Sequence, residues 1–153
     1  MAKKLALTAF GLGLLIVGAT YGMSFFAKTP DNLGVRDGRL TACPASPNCV
    51  STRASDESHR IEPLAFAGSA EDAVERLKGI LQAMPRSKII TAERNYIHAE
   101  FTSAVFRFVD DVEFLVDQPS RTIHFRSASR AGYSDLGANR KRMEAIRRRF
   151  DTD

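Results

Sequence analysis

The stretch Arg126-Ser-Ala-Ser-Arg-Ala-Gly-Tyr-Ser-Asp-Leu-Gly-Ala-Asn-Arg-Lys-Arg142 decides how this chain folds. It leaves a strand, crosses a polar loop with Gly132 and Gly137, and turns into a basic helix. A strand that hands over to a helix points to an α+β domain. The same stretch concentrates arginines, hydroxyls, an Asp and an Asn. Its candidate ligand-binding residues are Arg126, Ser129, Arg130, Asp135, Asn139 and Arg140.

Downstream, Leu136, Met143, Ile146 and Phe150 recur at helical spacing, which predicts a helix from about Leu136 to Phe150. Ser134 or Asp135 would cap it. Asn139 falls on the apolar stripe, and a buried amide must be hydrogen-bonded, here to the backbone of the 128–134 loop. Upstream, the period of the apolar residues is two. Lys88–Ala92, Tyr96–Ser103 and Thr122–Ser127 each read as a strand, and Phe106, Phe108, Val112, Phe114 and Val116 share the parity of one long strand or two short ones. Arg94-Asn95 and Asp117–Ser120 separate these runs as turns, so the hairpins are antiparallel. Before them, Ser69-Ala-Glu-Asp72 resembles a capping box. Ala73, Val74, Leu77, Ile80, Leu81 and Met84 then form a helical stripe that must stop before Pro85. The expected architecture is a four- to five-stranded antiparallel sheet with two helices packed on one face.

Asp110 breaks the strand pattern. It shares the parity of the apolar residues around it, and a carboxylate buried alone is very costly. Either a bulge at Asp110-Asp111 turns both outward, or Arg126 or Arg130 pairs with Asp110.

At the other end of the chain, Lys3 and Lys4 precede an uncharged run from Leu5 to Ala27, twenty-three residues long. That run is long enough to cross a hydrocarbon core of roughly 30 Å and too long for most signal peptides. The chain therefore divides into an N-terminal membrane anchor or signal segment (1–28), a linker (29–41) and a single α+β domain (42–153). The two lysines place the domain outside the cytoplasm, in the periplasm of a bacterial inner-membrane single-pass protein. On that oxidising side, Cys43 and Cys49 point to one disulfide; free thiols are the alternative, and a metal or redox pair lacks the usual spacing. The net charge is +4, and all of the excess lies from Arg126 onward. This segment suits an anionic ligand, an anionic lipid or an acidic partner. It lacks the aromatic interleaving of a nucleic-acid surface.

Taken together, Cys43-Pro-Ala-Ser-Pro-Asn-Cys-Val-Ser51, Asp110-Asp-Val-Glu-Phe114 and Arg126 to Arg140 resemble the motifs of the family catalogued as domain of unknown function 1499. The resemblance covers nearly all of the chain after the membrane segment. It implies that these motifs are defining positions, but it carries no activity; Thr52 departs from the serine expected there.

Four readings of the polar residues follow. Arg130, Arg140 and the helix N-terminus can hold an anion, although Asp135 as a cap would occupy the same donors. Asp110, Asp111, Asp135 and His124 can be set out as metal ligands, but in no recognised calcium spacing, so no metal or cofactor is assigned. Ser127 or Ser129 with His98 or His124 as base lacks a nucleophile elbow. The fourth is a buried Asp–Arg–Asn network fastening the last loop and helix to the sheet. The expected function is a membrane-anchored, periplasm-facing binding or accessory module for an anionic ligand, lipid head group or partner protein. The alternative is a small hydrolase with a site formed by the 126–140 loop and Asp110/Asp111.

Overall fold

The computed structural model describes residues 28–152. The membrane span expected over 5–27 lies outside the described residues; among those described, no helix is long and apolar enough to cross a membrane.

The first helix, α1 (Ala70–Ala83), starts where its capping box predicts. The Ser69 hydroxyl oxygen accepts the Asp72 N–H at 3.1 Å, and the hydroxyl donates to the Asp72 carboxylate at 2.7 Å. The helix stops two residues before Pro85, with Met84 already extended. Its stripe of Ala73, Val74, Leu77, Ile80 and Leu81 is buried.

The strands are β1 (Val35–Arg36), β2 (Arg39–Leu40), β3 (Cys49–Ser51), β4 (Leu64–Ala65), β5 (Ser87–Ala92), β6 (Tyr96–Thr102), β7 (Val109–Asp117) and β8 (Thr122–Ser129). β5 to β8 form antiparallel hairpins, as the period-two pattern predicts. The six-stranded sheet runs β3-β8-β7-β6-β5, with β4 also on β8, so it is larger than the sequence pattern indicates. The additional strands, β3 and β4, have only three and two residues, too few to display a period. β1 and β2 form a separate hairpin.

Alternation divides the large sheet into two unlike faces. One carries Ile97, Ala99, Val112, Phe114, Val116, Ile123 and Phe125, and α1 and α2 (Ala138–Thr152) pack on it. Met143, Ile146 and Phe150 of α2 complete this core. Fully burying a side chain such as Phe114 stabilises the fold by about 1.5–3 kcal/mol. The other face is polar but not open. The β1–β2 hairpin, within the stretch expected to be a linker, lies across it. Leu40 packs on Tyr96 and Leu115, and the Gly34 N–H donates to the Glu113 carboxylate at 2.7 Å.

Three apolar positions depart from expectation. Phe106 and Phe108 lie outside any strand, because Ser103 and Phe108 close a loop through Ser103 N–H to Phe108 C=O (2.8 Å) and Phe108 N–H to the Ser103 hydroxyl (2.9 Å). Leu136 precedes the helix rather than joining its stripe and is 87% exposed.

Cys43 and Cys49 form a disulfide, with Cα atoms 5.7 Å apart. β3 begins at Cys49 and pairs with Ala128, so the bridge ties the segment after the hairpin to the end of β8. Opening so short a loop should cost about 2 kcal/mol. Cys43→Ser/Cys49→Ser in the full chain should therefore lower the denaturant midpoint measurably while leaving the far-ultraviolet circular dichroism unchanged.

Candidate functional site

Asp110 and Asp111 are consecutive on β7 and both buried, at 6% and 1% exposure. The register is continuous with β6 and β8 through both residues, so no bulge turns them outward. They project to opposite faces, and each meets its own arginine.

Under α2, Asp110 pairs with Arg142. Arg126 and Arg130, the expected partners, both lie on the opposite face; Arg126 stands across from Glu113, one residue out of phase with Asp110. Arg142 reaches in from the first turns of α2. Its Nη1 also donates to the Asn139 side-chain oxygen Oδ1 at 2.6 Å and to the Ser127 hydroxyl at 3.2 Å. The Ser127 hydroxyl donates to the same Asn139 Oδ1 at 2.5 Å. The Asn139 amide donates to the Ser129 hydroxyl and to the Asn48 carbonyl, each at 3.0 Å. Asn139 is thus bonded, as burial requires, but to side chains and to the disulfide loop rather than to the 128–134 backbone. Asn48 completes the tie by donating to the Gly132 carbonyl at 2.6 Å. Gly132 has φ +88°, a conformation that favours glycine. Asp135 caps the start of α2: its carboxylate accepts the Gly137 N–H at 2.9 Å and the Asn139 N–H at 2.7 Å. Those donors are therefore committed to a carboxylate of the chain itself.

Under the β1–β2 hairpin lies the second network. Arg130 holds Asp111 as a fork, Nε to Oδ2 at 2.8 Å and Nη2 to Oδ1 at 2.7 Å, and it also pairs with Glu100. The His98 Nε2–H donates to Asp111 at 2.8 Å. One layer along, Glu113 accepts the Tyr96 hydroxyl at 2.9 Å and pairs with Arg126 at 3.2 Å. Arg126 Nε is buried with no acceptor among the described residues. Burial alone would push the Asp111 carboxyl up. The Arg130 fork and the His98 bond outweigh it and hold it below the usual carboxylate range. The Arg130 guanidinium is raised in turn, chiefly by Asp111. Burial, then the charge of Glu113, pushes the Tyr96 phenol up.

The six predicted ligand residues are therefore not one site. Arg126 and Arg130 belong to the hairpin face, whereas Ser129, Asp135 and Asn139 belong to the helix face. Arg140 binds the Ser58 carbonyl at 2.9 Å and lines an open cavity of about 660 Å³ with Arg60, Arg147, Glu57, Glu62 and Glu144. Three cations against three acids give that cavity no preference for an anion. Asp110 and Asp111 cannot share a metal or a substrate across the sheet. Ser127 and Ser129 likewise face away from His98 and His124, which removes the geometry of a serine–histidine pair.

The residues that sequence reasoning missed are Arg142, Glu113, Glu100, Tyr96 and Asn48. Tyr96, His98 and Glu100 alternate with apolar neighbours as solvent-facing residues do, and only the overlying hairpin and the paired arginines reveal that they are engaged.

Both networks end at one rim of the sheet, where β6 ends, β7 begins and β8 ends. The disulfide loop, the 103–108 loop and the 130–137 loop meet there; Arg130 N–H donates to the Val109 carbonyl at 3.0 Å. Four large apolar side chains stand exposed on this rim, Val105 (61%), Phe106 (37%), Tyr133 (77%) and Leu136 (87%). Arg107 and Leu136 both have positive φ, at 59° and 54°. Non-glycine residues in that region cost roughly 1–2 kcal/mol each, so the networks below hold both loops in strained shapes.

Arg142→Met leaves Asp110 buried without its cation and should cost about 3–5 kcal/mol, whereas Asp110→Leu with Arg142→Met should recover most of that loss. Thermal unfolding of the two variants measures the difference. For Asp111, the folded carboxyl titrates below its unfolded value of about 3.9. Its stabilisation is therefore present above that pH and is lost as pH falls through the lower, folded value. Asp111→Asn should be clearly less stable than the parent at pH 7, with the gap closing below about pH 4.

A family model described as "Protein of unknown function (DUF1499)" matches residues 39–150. Comparisons with curated proteins and with solved structures returned no match. The match spans β2, the disulfide loop, both buried networks, the rim loops and most of α2. The chain belongs to the DUF1499 family.

Proposed function

We propose that this protein is a membrane-anchored binding module that faces the periplasm and presents the rim of its sheet to a partner. The observation that carries this reading is the exposure of Val105, Phe106, Tyr133 and Leu136 on two strained loops fixed by buried ion pairs. Rigid loops with exposed apolar tips are how a scaffold displays a binding surface. Asp110, Asp111, Glu113, Arg126, Arg130, Asn139 and Arg142 are engaged in internal pairing, which favours binding over catalysis. The anchor is supported by the uncharged run Leu5–Ala27, and the outward orientation by Lys3 and Lys4 before it. The disulfide is of the kind that persists in an oxidising compartment.

A photo-crosslinking residue at position 133 of the full chain, in cell membranes, tests this reading. Position 118, at the opposite end of the sheet, serves as the control. Adducts at 133 and none at 118, together with cleavage of the domain by protease added to spheroplasts, are expected. Equal labelling of both positions, or a domain protected from the protease, would sink the reading.

A further inference from the structure

We propose that the rim rests in the headgroup layer of the membrane that residues 5–27 enter. This deepens the binding-module reading and rests on its membrane anchor.

The path of the chain gives the first argument. The β1–β2 turn at Gly38 shares a cavity with Asn95, Asp117 and His124, at the end of the sheet away from the rim. Both arms of the hairpin then run back towards the rim. On the outgoing arm, Leu40 is followed by Thr41 and then by Cys43, bonded to Cys49 beside Ala128. On the incoming arm, the Asn32 carbonyl accepts the Thr41 hydroxyl at 2.6 Å. The described chain thus comes in next to the rim, four residues after Lys28 and five after the uncharged run ends at Ala27. Five extended residues span at most roughly 18 Å, so an anchor ending at Ala27 keeps this end of the domain close to the bilayer.

The second argument is the chemistry of the rim. The segments 43–48, 84–88, 103–108 and 130–137 carry Arg86, Lys88, Arg107 and Arg130 against one acid, Asp135. That acid is already bound to the N–H groups of Gly137 and Asn139. The acids on the strand ends beside the rim, Glu100, Asp110 and Asp111, are paired with Arg130 and Arg142. Exposed Val, Phe, Tyr and Leu side chains interspersed with cations, and with tyrosine at the level of the headgroups, match the layer between anionic phosphates and acyl chains. A protein partner would need complementary acids and a shaped apolar socket, whereas a bilayer supplies both phosphate and hydrocarbon without either.

The chain contains no tryptophan, so one introduced tryptophan reports alone. Tyr133→Trp and, as control, Gln118→Trp are made in the full chain and reconstituted in vesicles of phosphatidylethanolamine and phosphatidylglycerol. Part of the lipid is brominated at shallow acyl positions. A side chain about 5–10 Å into the boundary touches those bromines, so the Tyr133→Trp variant should lose roughly half of its emission or more while the Gln118→Trp variant is little changed. Quenching of the rim tryptophan should weaken in vesicles of phosphatidylcholine alone. Alkaline carbonate extraction of the same vesicles tests the anchor separately. A carbonate-resistant chain whose rim tryptophan is quenched no more than the control overturns the rim proposal and leaves the anchor standing. A blue-shifted but unquenched rim tryptophan also overturns it, because protein, a second copy of this chain, then covers the rim. Release by carbonate overturns the anchor reading instead.

Discussion

Two consecutive carboxylates on one strand project to opposite faces, and the rest of the architecture follows from what each requires. A buried carboxylate without a cation is far too costly to keep, so Asp110 and Asp111 each need an arginine on their own side. Arg142 supplies one from α2, and Arg130 supplies the other from the end of β8. The first pairing fixes the depth and rotation of the last helix. The second fixes where the chain leaves the sheet. Since Arg130 and Arg142 bracket the 131–141 segment, that loop is held from both faces of the sheet at once.

The same constraint accounts for the connection between distant parts of the sequence. Asn139 lies one turn before Arg142, and through it the helix reaches the Asn48 carbonyl inside the disulfide loop. The disulfide in turn anchors the segment that follows the β1–β2 hairpin, and the hairpin closes over Glu113, Arg126 and Tyr96. The Cys loop, the Asp-Asp strand and the Arg-Ser-Ala-Ser-Arg loop are separate in sequence but form one bonded unit. Their polarity is largely internal. What the unit displays outward is apolar and cationic, on loops whose backbone strain is maintained by the pairs beneath them.

Much of the helix-bearing half of the fold was legible from residues alone. Ser69 to Pro85 states a helix with its start and its stop. The alternation in Ile97, Ala99, Phe101 and in Val112, Phe114, Val116 states a sheet with one buried face, since burial of that face fixes the register. The parity of Asp110 correctly marked a buried charge, and the spacing of Asn139 an inward amide. Leu136 and Phe106 misled because a left-handed residue, or a loop closed by its own hydrogen bonds, interrupts a period without altering the composition.

The sequence by itself determined the element types, the apolar face, the cysteine pair and the existence of a polar network, because these follow from local periodicity and from the cost of burying charge. Only the tertiary structure decided which arginine meets which aspartate, that Tyr96, His98 and Glu113 are covered, and that the apolar loop tips share one rim. The physical reason is the range of the interactions. Alternation along a strand assigns a residue to a face, but what lies over that face comes from a hairpin or helix dozens of residues away.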